Sequence, residues 1–368
     1  MWYNADMFMP NFIITNNLVM YISRIEAARA LIENSPLVPA WEMKFRDDAL
    51  QRTVHFGTKI EGNDLTAEQA RQVVMLDDSN LRSISEKAGI MARDRDIQEV
   101  INYRNVVWWI DQQQNIANPN ILSEKTFKKL HSLTTARLID EQYVGVYRDK
   151  EVVVKAVSGD EVAFRPPHHS EVPFLMNDFF TWLNAPETAN IHPIVRAAIT
   201  HYQLVHIHPF VEGNGRSARA MATLVLYLSH YDFKKFFSLE QYFDMDVGRY
   251  YQALLSVQQS GNADLTYWLE YFGYGLAIEV DKVKSQVMKL SKDLKLKEQL
   301  GKQISLSERQ IVLLEILNHQ GEITSEQAQQ ALPNVSTDTI LRDLKDLIKK
   351  GVVEKRGVTK GVRYILTE

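Results

Sequence analysis

The sequence predicts a mainly α-helical chain with two cores, the larger interrupted by a β-hairpin and the smaller ending in one. Three observations carry this. Apolar side chains recur at helical spacing from Ser217 to Leu228, and again at Ile340, Leu341, Leu344, Leu347 and Ile348. A Val-rich run from Val144 to Phe164 surrounds Ser158-Gly159-Asp160 and stops at Pro166 and Pro167, the pattern of two strands about a turn. A charged connector, KVKSQVMKLSKDLKLKEQLGK from Lys282 to Lys302, precedes a stretch where the hydrophobic pattern restarts. At 368 residues and 45% hydrophobic content the chain can bury more than one core. Domain boundaries are expected at 1–110, 111–280, 281–303 and 304–368.

Composition narrows the chemistry. The chain has no cysteine, which excludes a disulfide framework, thiolate catalysis and cysteine-ligated zinc and fits a reducing compartment. The opening MWYNADMFMPNFIITNNLVMYISR has neither a basic start nor a continuous apolar run, so neither a signal peptide nor a membrane span is expected, and a cytoplasmic protein is. A net charge of −4 argues against wholesale nucleic-acid binding.

The most informative residues are HPFVEGNGRSAR, His208 to Arg219. Gly213 and Gly215 allow positive φ or close approach, so successive N–H groups can converge on an anion. A helix opening at Gly215 and Arg216 would add the positive end of its dipole. Arg216 and Arg219, three apart, share a face and can reach different phosphates of one nucleoside triphosphate. Glu212 is a hard oxygen ligand suited to Mg²⁺, and His208 is a group that can take a proton near neutrality. Phe210 is expected to anchor the loop by packing beneath it.

This string resembles the signature of the Fic family, HPFx[D/E]GNGRxxR, at every specified position, and the flanking HPIVRAAITHYQLVHI and RYYQALL are similar to the family as well. The resemblance implies a Fic-type helical core that transfers the AMP part of Mg·ATP to a protein hydroxyl and releases pyrophosphate. It makes His208 the general base, Glu212 the Mg²⁺ ligand, Gly213, Asn214 and Gly215 the anion hole, Arg216 a phosphate clamp and Arg219 the γ-phosphate ligand. Tyr250 and Tyr251 line the adenine pocket by analogy, and the Val-rich hairpin becomes a flap that docks the target by strand addition.

Upstream, HFGTKIEGNDLT resembles the family's inhibitory motif [S/T]xxxE[G/N]. The resemblance implies that Glu61 pairs with Arg219 and holds ATP unproductively. Gly57 stands where the motif has Ser or Thr, and Thr58 follows one residue later.

Beyond the connector, Ser307 to Gln310 is a capping box opening a helix through Leu317, a second helix is expected from Thr324 to Ala331, and a third from Ser336 or Thr337 to Gly351. VVEKRGVTKGVRYIL then reads as two strands around a Gly357–Gly361 turn. Three helices and a hairpin are similar to a winged helix-turn-helix domain. Its third helix and wing carry Arg342, Lys345, Lys349, Lys350, Lys355, Arg356, Lys360 and Arg363 against Asp338, Asp343, Asp346 and Glu354, a positive balance compatible with DNA and equally with a protein-docking module.

Other features carry less. His206, His208 and Glu212 do not make a metal cluster, His168 and His169 read as exposed, and Trp108, Trp109, Trp182 and Trp268 read as core. The function expected is protein adenylylation of Ser, Thr or Tyr, restrained by Glu61, with ATP and Mg²⁺, a protein substrate for which the chain itself is one candidate, no membrane, and room for a homodimer. The alternatives are removal of AMP at the same site, with Glu61 orienting a water, and a DNA-binding regulator that only senses nucleotide.

Overall fold

A computed structural model describes residues 8–37, 39–75, 92–113, 120–155, 162–299, 306–333, 335–357 and 362–367. The chain divides into two compact units, residues 1–35 with 41–288, and residues 289–368 with the short stretch 36–40. The N-terminal region and the central core, expected as separate segments, thus fall together in one unit.

In the first unit the described helices are α1 (Asn16–Asn34), α2 (Pro39–Lys59), α3 (Ala67–Met75), α4 (Asp94–Gln113), α5 (Glu124–Thr135), α6 (Val172–Leu183), α7 (Pro193–Ile207), α8 (Asn214–Leu228), α9 (Leu239–Met245), α10 (Val247–Gln259) and α11 (Thr266–Gln299), the last running past residue 288. Their starts are encoded locally. Thr15, Ser123, Ser238 and Asp246 cap their helices through side-chain oxygens, and Pro193 opens α7 where a missing N–H costs nothing.

α7 and α8 form the central pair, and α4 and α5 pack against α8. Both central helices are buried on nearly every side, so neither has the single apolar stripe of a surface helix. Polar groups on them are therefore buried too, among them His201, Arg216 and Arg219. Trp268 and Trp182 are core as expected. Trp108 is not: it is 41% exposed, with the Arg104 guanidinium 4.5 Å from its ring centroid.

The hairpin is far shorter than the Val-rich run suggested. Strand β1 (Val154–Lys155) pairs antiparallel with β2 (Val162–Phe164), Val154 opposite Phe164. Residues 144–153, expected as strand, have no ladder. Arg148 explains this, because its backbone N–H goes to the Pro209 carbonyl instead of a neighbouring strand. The Ser158-Gly159-Asp160 turn lies outside the described residues.

The second unit has α12 (Glu308–Gln320), β3 (Glu322–Ile323), α13 (Ser325–Ala331), α14 (Thr337–Lys349), β4 (Val353–Arg356) and β5 (Arg363–Leu366). The Ser307/Gln310 capping box is formed, and Thr324 with Gln327 makes a second. Ser336 caps α14. The core is Leu313, Leu317, Ile323, Ile340, Leu344 and Leu347, closed by Val353 and Tyr364. The strands order β3-β5-β4, so the wing gains a third strand that the sequence reading lacked. Part of the Gly357–Gly361 turn lies outside the described residues.

Candidate active site

The loop between α7 and α8 carries most of the signature, and its shape follows from three contacts. His208 ends α7 in the left-handed region, φ 51° and ψ 56°, which turns the chain out of the helix. Asn214 closes the loop on itself: its Oδ1 accepts from Phe210 N at 2.9 Å and its Nδ2 donates to Phe210 O at 2.9 Å. Its side chain is thus committed to the loop, and any anion hole here is built from backbone N–H groups. Gly213 has φ 78°, and a Cβ there would lie 2.6 Å from Thr135 Cγ2.

Phe210 anchors the loop from below, fully buried. Its ring stacks on His131 at a centroid distance of 3.7 Å and touches Phe127 and Tyr147. Burying it contributes about 2–3 kcal/mol. His131 is a positioning residue with no sequence signal. Its Nδ1 accepts from Gly145 N at 2.9 Å, so its Nε2–H donates to Glu212 O at 2.9 Å. Burial lowers its pKa to about 4, which keeps that tautomer neutral.

His208 is held the same way. Nδ1 lies 3.1 Å from Val205 O, a pure acceptor, so Nδ1 carries the proton and Nε2 keeps its lone pair. Burial lowers its pKa to about 4, against smaller upward pulls from the Val205 bond and Glu61. Arg148, 3% exposed, fixes the peptide on either side. Its Nε donates to His208 O at 2.9 Å, Nη1 to Lys150 O at 3.2 Å, and Nη2 to Pro167 O.

α8 opens at Gly213 with no side-chain cap, so its first N–H groups are available to an anion. Arg216 and Arg219 are 3% and 2% exposed. Arg216 Nε and the Nε and Nη1 of Arg219 are buried without a hydrogen-bond acceptor, and Arg216 Nη1 has only an ion pair at 3.5 Å to Glu99. Such orphaned cationic donors are costly unless a ligand satisfies them. Arg216 also lies 3.5 Å from Glu99 and 3.6 Å from Glu212. Glu212 is shared further with Arg95, another residue without a sequence signal.

Glu61 reaches this place from the far side. α2 ends at Lys59, Glu61 N and Asn63 N donate to Thr58 O, and Gly62 takes φ 90°. Asn63 is buried, donating to Asp96 O at 3.0 Å and Glu99 Oε2 at 2.9 Å, which fixes the turn. Glu61 Oε1 then lies 2.9 Å from Arg219 Nη2. A Cβ on Gly215 would collide with that carboxylate. Burial raises the Glu61 carboxyl, but Arg219 and Arg216 outweigh it and hold its pKa below the ordinary value.

Gly57 takes part through its backbone. Its carbonyl accepts from the same Arg219 Nη2 at 2.9 Å, and a Cβ at this position would overlap the Tyr103 ring. The Thr58 hydroxyl bonds Val54 O and His55 O of its own helix. Tyr250 is buried with its hydroxyl 2.9 Å from His201 Nε2, while Tyr251 is half-buried and raised in pKa first by burial and then by Glu61. His206 stacks on Tyr202.

Comparison with known proteins finds similarity in two segments of the chain. Residues 121–226 match the Fic/DOC family, and residues 309–358 match the DeoR-like helix-turn-helix domain. The curated protein adenylyltransferase Fic of Drosophila ananassae is 30% identical over 212 residues, 57% of this chain and 37% of that protein. That of Drosophila virilis is 32% identical over 189 residues, 50% of this chain and 34% of the relative. The chain thus spans little more than a third of the length of these relatives. A crystal structure of a Fic family protein from Desulfovibrio desulfuricans G20 shares the fold, with TM-score 0.64, 23% identity and 98% of each chain covered. Among the described residues, no helix is long and apolar enough to cross a membrane. Residues 121–226 are thus similar to the Fic/DOC family, and residues 309–358 to the DeoR-like helix-turn-helix domain.

Proposed function

We propose that the chain transfers AMP from Mg·ATP to a Ser, Thr or Tyr hydroxyl of a protein and that Glu61 restrains the reaction. The carrying observation is the convergence, at the open end of α8, of unsatisfied guanidinium donors, the Glu61 carboxylate and a neutral His208. The acceptor hydroxyl attacks the α-phosphorus, its proton passes to His208 Nε2, and pyrophosphate leaves. Arg216, Arg219 and the N–H groups at Gly213 to Gly215 neutralise the phosphate oxygens. Tyr251, half-buried and within the electrostatic reach of Glu61, would serve as a nucleotide contact. Glu212 is the residue that would hold Mg²⁺, whose chemistry is to offset phosphate charge. Its ion pairs with Arg95 and Arg216 would have to open for that. A cysteine-free chain working on ATP fits the cytoplasm.

Transfer of label from α-³²P-ATP to the purified chain, wild type against Glu61→Gly and His208→Ala, tests this reading. Label that rises in Glu61→Gly and vanishes in His208→Ala supports it. No label in any variant overturns it in favour of AMP removal or of nucleotide sensing alone.

A second reading concerns the C-terminal domain. Arg342, Lys345 and Lys349 are exposed at helical spacing on α14, while Asp343 is buried against Arg309 at 2.8 Å and Asp346 pairs with Lys350. This leaves a basic stripe on the helix that would enter a DNA groove. Binding of duplex DNA that weakens steeply with salt and disappears on deletion of residues 304–368 is the expected result. Salt-independent or absent binding leaves protein docking as the role.

A further inference from the structure

Outside the active site, Glu151, His168 and His169 bring three ligand atoms within 4.8 Å of one another. Glu151 Oε1 lies 2.8 Å from His169 Nδ1 and 3.4 Å from His168 Nε2. Zinc bonds of about 2.0–2.1 Å in tetrahedral geometry put donor atoms about 3.3 Å apart, so the three groups need only small rotations to share one ion. The two imidazole rings lie side by side, centroids 4.2 Å apart. His168 Nδ1 accepts from Ser170 N at 3.3 Å and lies 2.8 Å from Ser170 Oγ, so this edge of the ring is turned to Ser170 while Nε2 faces Glu151.

Position gives the cluster a consequence. Glu151 lies three residues before β1, and His168 and His169 follow β2 after Pro166 and Pro167. The two legs of the hairpin therefore meet here, beside the Pro167 carbonyl that Arg148 ties to the His208 peptide.

We propose that Glu151, His168 and His169 form a binding site for a borderline transition-metal ion, Zn²⁺ foremost, that cross-links the base of the hairpin. Two imidazoles and one carboxylate select Zn²⁺ and its neighbours over Mg²⁺ or Ca²⁺. Water fills the fourth position, since all three side chains face solvent to some degree. The ion is structural: it fixes the separation of β1 from β2 and takes no part in phosphoryl transfer.

Calorimetric titration of the full chain with ZnCl₂, without Mg²⁺ or nucleotide, tests the site. One Zn²⁺ per chain is expected, with affinity at least about tenfold weaker in Glu151→Gln and His169→Ala and unchanged in the control His230→Asn. Hydrogen exchange of the amides in 147–154 and 162–170 should slow when Zn²⁺ is added to wild type and stay unchanged in His169→Ala. Absence of saturable binding, equal affinity in all variants, or binding that leaves exchange at both legs unaltered overturns the proposal. None of these readouts depends on AMP transfer.

Discussion

Glu61 and Gly57 grip Arg219 through one nitrogen: Nη2 donates at 2.9 Å both to the Glu61 carboxylate and to the Gly57 carbonyl. The two acceptors come from a single turn at the end of α2, so releasing the arginine requires that turn to move or lose its carboxylate.

Glu61→Gly is expected to raise self-labelling about tenfold or more, since it frees Arg219 for phosphate. It should also lower stability by about 3 kcal/mol, because Arg219 is left buried without its counter-charge. Thermal unfolding with and without ATP reads both effects, with ATP restoring part of the loss. A variant as stable as wild type and no more active would refute the clamp.

Gly57→Ser, which restores the family's usual residue, should destabilise the chain by about 1–3 kcal/mol through overlap with Tyr103. Urea denaturation checks this. An unchanged midpoint would mean that the Tyr103 ring moves aside freely.

Arg148→Ala should lower the transfer rate about 10- to 100-fold while ATP affinity changes little, because the residue orients the His208 peptide and touches no phosphate donor group. Lysine cannot span the three carbonyls that the guanidinium reaches, so Arg148→Lys should also be impaired. A rate within twofold of wild type in either variant would remove Arg148 from the positioning of His208.

The pH dependence follows from depressed histidines. His208 and His131 are lowered to about 4 by burial, so the folded protein holds them neutral while the unfolded chain protonates them near 6.5. Between those values the unfolded state binds more protons, so this contribution to stability is present above pH 6.5 and is lost as pH falls toward 4. The acid limb of kcat/KM should accordingly have its midpoint nearer 4 than 6.5. A midpoint at 6.5 would mean that the His208 imidazole is solvated in the free protein.

What the sequence made legible was local. Ser307-x-x-Gln310, Thr324 and Ser336 announce their helices through contacts three residues away. Phe210 was readable as an anchor because loops need one. Arg148, His131, Arg95 and Tyr103 gave no warning, since their roles depend on partners 60, 81, 117 and 137 residues distant. The Val-rich segment misled for a related reason. Strand propensity describes a half-buried surface, and a buried arginine satisfying three carbonyls took residues 148–151 elsewhere. Strand β3, two residues long, is too short for any periodicity to reveal.

The placement of Glu61 against Gly215 turns α2 into a tether. A carboxylate held on the same chain presents itself to α8 at an effective concentration that dilution of the protein cannot change. On the proposed reading, nucleotide competes with an internal ligand, and its apparent affinity is its intrinsic affinity scaled by the fraction of chains whose tether is released. Activity would then respond to nucleotide supply, or to whatever loosens the end of α2, and not to the abundance of the protein itself.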